Sequence, residues 1–426
     1  MLTIYKNQIF AEGVYSRNHH KNVTNVGTKH RNIHFKIQPQ LMAKDNIYFN
    51  EMKPIFIMLR MVGRFPYSFT KTGFAPFSFI SWPVLYSLVF NLVFVLMTIR
   101  SMQIMINDKI YPSRSYDETL FWFLLLLFAL QSFTGPITFW MDAPGLVSYF
   151  QKWKDFEDFW RLGTLYSVNR HRFTRFFSIS IMPLVALFVT YETLTLPKIS
   201  ILIFLPHIPI VIALLLMQVY WWLTLHDLTQ YSEKLLTSML KVKDRRGMGY
   251  RRRIWQQISN LVTEIGNAIG ASGLSYSITN FVGFILSTYG ILINLASPGS
   301  SDVSVMGLLL PAVACAMTIF LVTDAAYKAT ECVGHKFTKN LLQIDLSTLS
   351  RSCLSEVDLM FNSLSANSPV IEYLGFMKIT RNTFLQFVSH TATYLIVLVQ
   401  MKTQPKHSKN GPFPDSYGNS TDFENT

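Results

Sequence analysis

Seven stretches of this chain are apolar for long enough to cross a membrane, and polar runs of unequal length separate them. A span needs roughly 20 mostly apolar residues to cross a hydrocarbon core about 30 Å thick. The runs fall at Phe79–Ile99, Leu120–Trp140, Phe176–Leu196, Ser200–Leu225, Ile265–Asn294, Gly307–Val322 and Asn382–Met401. The fifth carries Gly266, Gly270, Gly273, Gly283 and Gly290, and small residues let membrane helices approach closely. The sixth is short and the seventh is the least apolar. No long apolar core occupies the first 30 residues, so no cleavable signal peptide is expected.

The polar runs divide into short and long. Several of the long ones have helical period. In His226–Val242, which continues the fourth span, Leu228, Tyr231, Leu235 and Met239 fall on one helical face. Phe337–Leu364 is similarly amphipathic and holds too few basic residues to read first as a layer on lipid headgroups. These runs predict helices that pack together beneath the membrane. Lys53–Phe69 predicts an interfacial helix ahead of the first span, and the polar first 45 residues read as partly disordered.

Charge orients the pattern. Lys and Arg number 29 on the side of the N-terminus and the long runs, against 7 on the other. Lys378 and Arg381, just before the seventh span, also lie on the rich side. The positive-inside rule makes that side cytoplasmic, with the N-terminus inside and the C-terminus outside. The fold class expected is an all-α membrane protein of seven transmembrane helices, with long cytoplasmic helical extensions forming an anchor domain. Its domains are a cytoplasmic segment 1–52, six spans over 53–325, anchor helices 326–375, a seventh span 376–401 and an extracellular tail 402–426.

Composition agrees: 50% of residues are hydrophobic, 15% are charged, and the mean hydropathy is +0.26, where soluble domains hold about 25% charged residues. The net charge of +13 is accounted for by the topology and implies no nucleic acid. Lys241–Arg253, "KVKDRRGMGYRRR", reads as a topology-setting loop or as a contact with anionic lipid. Cys315 lies in the sixth span, and Cys332 and Cys353 in a reducing compartment, which argues against a disulfide. There is no zinc spacing, Walker loop or GxSxG elbow. No enzyme, metal or cofactor is therefore expected. A G-protein-coupled receptor would have the opposite orientation, and a transporter would show internal repeats, of which none is seen.

One span departs from the pattern. Along the seventh, Gln386, His390, Thr393, Val397 and Gln400 follow at steps of 4, 3, 4 and 3, which places them on one face. Polar residues in membrane segments usually face a bundle interior or a water-filled path. The stripe is thus either pore lining in an oligomer or interhelical hydrogen bonding within one subunit.

"TYLIVLVQM", Thr393–Met401, resembles the signature of insect gustatory receptors: Thr393 and Tyr394, five hydrophobic residues, then Gln400. Met401 stands where that family usually has Phe. Sugar receptors of the family carry Glu after Thr-Tyr, where this chain has Leu395. Leu261–Gly290, Val322–Ser347 and Gly375–Phe387 resemble the carbon dioxide receptor branch. The resemblance implies a ligand-gated cation channel of four subunits, alike or mixed with related receptors, in the plasma membrane of sensory neurons. In it, the stripe and Met401 would line the pore, with Gln400 and Met401 at the outer constriction. A metabotropic receptor and a gustatory receptor for sugars or bitter compounds are the alternatives.

The resemblance also implies a pocket for a small molecule, here carbon dioxide or bicarbonate, in the outer half of spans 2 to 6. Candidates there are Trp122, Tyr191, Glu192, His207 and Tyr289. Tyr and Trp also serve as interface anchors. His207, between Pro206 and Pro209, reads either as a ligand contact or as a partner for a freed backbone carbonyl.

Overall fold

The computed structural model describes residues 46–70, 73–75, 78, 80–110, 116–162, 206–239, 244–296, 305–344, 347 and 349–403. The third predicted span, the start of the fourth, the first 45 residues and the tail beyond Thr403 lie outside them.

The segment before the first span is a core helix. Asn46 Oδ1 accepts from Phe49 N–H at 2.9 Å and opens α1 (Ile47–Met61). Tyr48, Phe49, Met52, Ile55, Phe56 and Leu59 recur at helical spacing and are fully buried. Phe56 packs edge-on against Phe150 at 5.2 Å and Tyr220 at 5.2 Å. The interfacial helix expected over Lys53–Phe69 is thus corrected: its apolar face meets aromatic partners far along the chain, on two later helices.

Ser81 and Pro83 start α2 (Trp82–Met105), which passes into one π-helical turn, Ile106–Ile110. The next helix, α3 (Tyr116–Leu162), runs 47 residues through Pro136 and Pro144. Next come α4 (His207–Met239), α5 (Arg245–Ala268), α6 (Gly270–Ala296), α7 (Val305–Val333), α8 (His335–Leu341) and α9 (Arg351–Ala366). A hairpin of β1 (Glu372–Tyr373) and β2 (Met377–Lys378) leads to α10 (Arg381–Thr403). Among the described residues, five helical stretches are long and apolar enough to cross a membrane: Trp82–Met105, Trp122–Arg161, His207–Met239, Gly270–Leu295 and Gly307–Leu341. This is a helical membrane protein.

One buried cluster joins α1, α3, α4, α5, α7, α8, α9 and the hairpin. Leu228, Tyr231, Leu235 and Met239 all lie in it, so α4 carries its apolar face past the end of its spanning part. Trp221 donates to the Val322 carbonyl at 3.1 Å and Trp255 to the Val333 carbonyl at 2.9 Å, so each buries its ring with the N–H satisfied.

The fifth predicted span begins later than its hydrophobic pattern. α5 ends at Ala268, Ile269 leaves helical geometry, and α6 starts afresh at Gly270. A carboxylate from α3 makes the restart possible. Asp142 Oδ1 accepts from Ala271 N–H at 3.0 Å. Its Oδ2 accepts from Ser272 N–H at 2.8 Å and from Ser272 Oγ at 2.6 Å. Glu157, also on α3, does the same for α1, accepting from Ile47 N–H at 3.1 Å and Tyr48 N–H at 3.2 Å. Both carboxylates meet orphan donors at the positive end of a helix.

The glycines around this break seat the hairpin. A Cβ on Gly266 would strike the Glu372 carbonyl. One on Gly270 would come within 2.7 Å of Leu374 Cγ, and one on Gly273 within 2.7 Å of the Tyr373 ring. Leu374 (φ 52°) and Gly375 (φ 72°), both at positive φ, make the tight turn, which Phe376 N–H closes by donating to the Tyr373 carbonyl at 2.9 Å.

Candidate functional site

The hairpin delivers α10, the candidate pore helix. Thr380 and Thr383 cap its start reciprocally: Thr383 N–H donates to Thr380 Oγ1 at 3.4 Å, and Thr380 N–H to Thr383 Oγ1 at 3.2 Å. Arg381 fixes the same end to α7, donating from Nη2 at 2.6 Å and Nε at 3.1 Å to Asp324 Oδ1. Its guanidinium lies 4.2 Å over the Tyr327 ring, and Lys328 Nζ takes the other Asp324 oxygen at 2.7 Å.

Beyond that clamp α10 presents three faces. The packed face holds Phe384, Phe387, Thr391, Leu395 and Leu398, against α6 and α7. Phe384 meets Phe320 at 5.4 Å, and Phe387 meets Phe281 at 5.2 Å and Phe284 at 5.3 Å. Leu395 and Leu398 rest on Tyr289 and Ile293. Gln386, His390, Thr393, Val397 and Gln400 form the second face and are all exposed. The third holds Val388, Ala392, Ile396 and Val399, apolar and also exposed. Tyr394 stands at the edge of the packed face, its ring 6.3 Å from Phe281. Met401 lies within α10, and its side chain is outside the described set.

The stripe itself divides. Gln386 and His390 border a half-open cavity of about 320 Å³ lined by α4, α6, α7, α10 and the hairpin. Thr393, Val397 and Gln400 do not border it.

The predicted ligand residues do not form one group. Trp122 is buried with Met105, Leu124, Leu125 and Leu308. His207 reaches the same region of α3, its Nε2 3.1 Å from the Leu125 carbonyl. It opens α4 rather than lying within a broken helix, and Pro209 in the first turn removes no hydrogen bond. The carbonyl it meets is on α3 and is not one freed in its own helix. Tyr289 is buried with Ile293 in a separate cluster, linked to the Trp122 cluster through Leu286. Tyr191 and Glu192 lie outside the described residues.

Three polar residues escape a reading based on the seventh span alone. Asp142 caps α6, as above. Arg64 is buried: its Nη2 donates to the Gln131 carbonyl at 3.4 Å, while Nε and Nη1 have no partner among the described residues. Asn280, in the middle of the fifth predicted span, borders the cavity. The rule that singles out polar groups in apolar helices applies to Asn280 as it does to His390.

Residues 52–405 match the family model of the 7tm chemosensory receptor. The chain belongs to that family. Among curated proteins, this receptor is 24% identical over 365 residues to gustatory and odorant receptor 24 of Anopheles gambiae, covering 83% of this chain and 78% of that protein. It is 20% identical over 380 residues to gustatory and odorant receptor 21a of Drosophila melanogaster, covering 85% and 83%. These relatives make it an insect gustatory receptor family member. Its fold is that of the insect olfactory receptor OR5 from Machilis hrabei, with a TM-score of 0.60 at 14% identity over 84% of this chain and all of that one.

Proposed function

We propose that this receptor is one subunit of a four-subunit, ligand-gated cation channel in the plasma membrane of sensory neurons, with α10 lining the pore. The observation that carries the reading is the division of α10 into a packed face, an open polar stripe and an open apolar face. A lone helix facing lipid would have no use for Thr393 and Gln400 on its open side. Four copies around an axis would turn the stripe to water and the apolar face to a neighbouring subunit or lipid. The subunits are of one kind or mixed with related receptors, and helices α5, α8 and α9 with the lower parts of α3 and α4 form the cytoplasmic anchor.

The orientation this needs has the N-terminus inside. Two glycosylation sequons lie on opposite sides of it, at Asn22 and Asn419. Endoglycosidase mapping in insect cells is expected to find glycan on Asn419 and none on Asn22. Glycan on Asn22 alone would invert the topology and end the channel reading.

The proposed stimulus is carbon dioxide or bicarbonate. Leu395 stands where the family's sugar receptors have Glu, and the stretches around α6, α7 and the hairpin resemble the carbon dioxide branch. A ligand of three heavy atoms is limited to roughly −4.5 kcal/mol at about −1.5 kcal/mol per atom. Half-saturation is therefore expected in the millimolar to sub-millimolar range. Patch-clamp recording of cells expressing the chain with related subunits, at clamped pH, should give inward cation current to carbon dioxide and none to sugars. A sugar current without a carbon dioxide response would move the chain to another branch and leave the architecture standing.

A further inference from the structure

The cavity behind the first half of α10 has walls that specify a ligand. Its volume, about 320 Å³, sits at the small end of the roughly 300–1,000 Å³ typical of ligand pockets. Trp221, Tyr276, Phe281 and Phe387 supply aromatic wall. Gln218, Thr318, Gln386 and His390 supply hydrogen-bonding groups, and no Lys, Arg, Asp or Glu borders it among the described residues. A phosphate or carboxylate would find no counter-charge there, and a cation no acid.

Asn280 decides what the ligand must offer. Its residue is only 6% exposed, it borders the cavity, and its side chain makes no hydrogen bond among the described residues. Helix-borne neighbours are already engaged: Ser277 Oγ donates to the Gly273 carbonyl at 2.8 Å, Thr323 Oγ1 to the Ile319 carbonyl at 2.8 Å, and Thr318 Oγ1 to Gln218 Oε1 at 3.4 Å. A carboxamide offers two donors and an acceptor with two lone pairs. With none of them taken by the protein among the described residues, the amide is left to water in the cavity or to a ligand hydroxyl that takes the water's place.

We infer that this cavity is a binding site for a compact, uncharged amphiphile, a single ring bearing one hydroxyl, whose hydroxyl pairs with Asn280 while its ring lies among Trp221, Phe281 and Phe387. The site is separate from the Trp122, His207 and Tyr289 region. Binding is independent of the channel reading, whereas the effect on gating rests on it. Phe281 and Phe387, at 5.2 Å, form one of the contacts that hold α10 to α6, and a ligand among them bears on that contact and on Gln386 and His390. It therefore shifts the balance between positions of α10 without entering the pore.

Thymol, a neutral monocyclic phenol, is a suitable probe. Purified full-length receptor in lipid nanodiscs is titrated with tritiated thymol against empty nanodiscs, and thermal unfolding is followed in parallel. The expected result is saturable binding at one site per chain. Asn280→Leu, nearly the same shape, should weaken it about three- to tenfold, the loss of one neutral hydrogen bond. The same substitution should leave the unfolding temperature little changed, since the amide bonds no protein group among the described residues. Ser277→Phe, which fills the cavity, should abolish binding. Non-saturable uptake equal to that of empty nanodiscs overturns the proposal, as does undiminished affinity in Asn280→Leu. Thymol binding by this pattern, with no current to carbon dioxide in cells that express the chain with related subunits, would uphold the site and count against the channel reading, so the two fail separately.

Discussion

Asp142→Ala is expected to cost most of the folded receptor. The carboxylate accepts from two backbone N–H groups and one hydroxyl at the start of α6, at 2.6–3.0 Å, in a place where Asp142 is 3% exposed. Removing it strands two buried donors, each at about 1–3 kcal/mol, and deletes the charge that the helix end favours. A loss of about 3–5 kcal/mol takes a large share of a stability of roughly 5–15 kcal/mol. Fluorescence-detected size-exclusion chromatography of tagged receptor should show the monodisperse peak nearly lost for Asp142→Ala. Asp142→Asn keeps one acceptor and should fall between. Ser272→Ala removes one hydrogen bond and should change the peak little, at about 1 kcal/mol. An unchanged peak in Asp142→Ala would mean that α6 does not depend on its cap.

The second large effect concerns α10. Exposure in one subunit cannot separate water from lipid, but thiolate chemistry can, because charged methanethiosulfonate reagents need water. Single cysteines at Thr393, Val397 and Gln400 should react at least about tenfold faster than cysteines at Thr391 and Leu395, on the packed face. The same margin is expected over Ile396 and Val399, exposed but on the apolar face. Background should be low: Cys315, Cys332 and Cys353 are all free and buried, and burial pushes the Cys353 thiol up. Equal rates at Ile396 and Val397 would remove the stripe from the pore.

Local periodicity makes much of this legible. The Leu228–Met239 face is buried, and the 4-3-4-3 spacing finds a face of α10 that is open. Both depend only on residues a few positions apart, and the helix repeat supplies the rest. Long-range partners are not legible. In the sequence Gly266, Gly270 and Gly273 read as a close-approach surface for another helix; they instead admit a hairpin from much later in the chain, which no spacing rule foresees. An apolar run continues across Ile269, so the pattern begins the fifth span at Ile265, whereas α6 starts at Gly270 under a cap that sits on α3. The run Ser200–Leu225 is likewise continuous and puts His207 inside a span, whereas the described helix begins at His207 itself. Asn280 is within reach of the rule used for the seventh span, and the apolar letters around it mask it, whereas Arg64 lies ahead of the first span, where that rule does not apply.

The clamp at Arg381 has a mechanical corollary. One end of α10 is tied three ways: by the reciprocal threonine cap, by the two-donor grip on Asp324, and by a hairpin wedged into glycine-sized gaps. Towards the far end α10 leans on α6 through the apolar side chains of Leu395 and Leu398. A rod fixed so can swing but not slide. Displacement then grows with distance from the pivot, at about 1.5 Å of lever arm per residue, so a given tilt moves Gln400 about twice as far as His390.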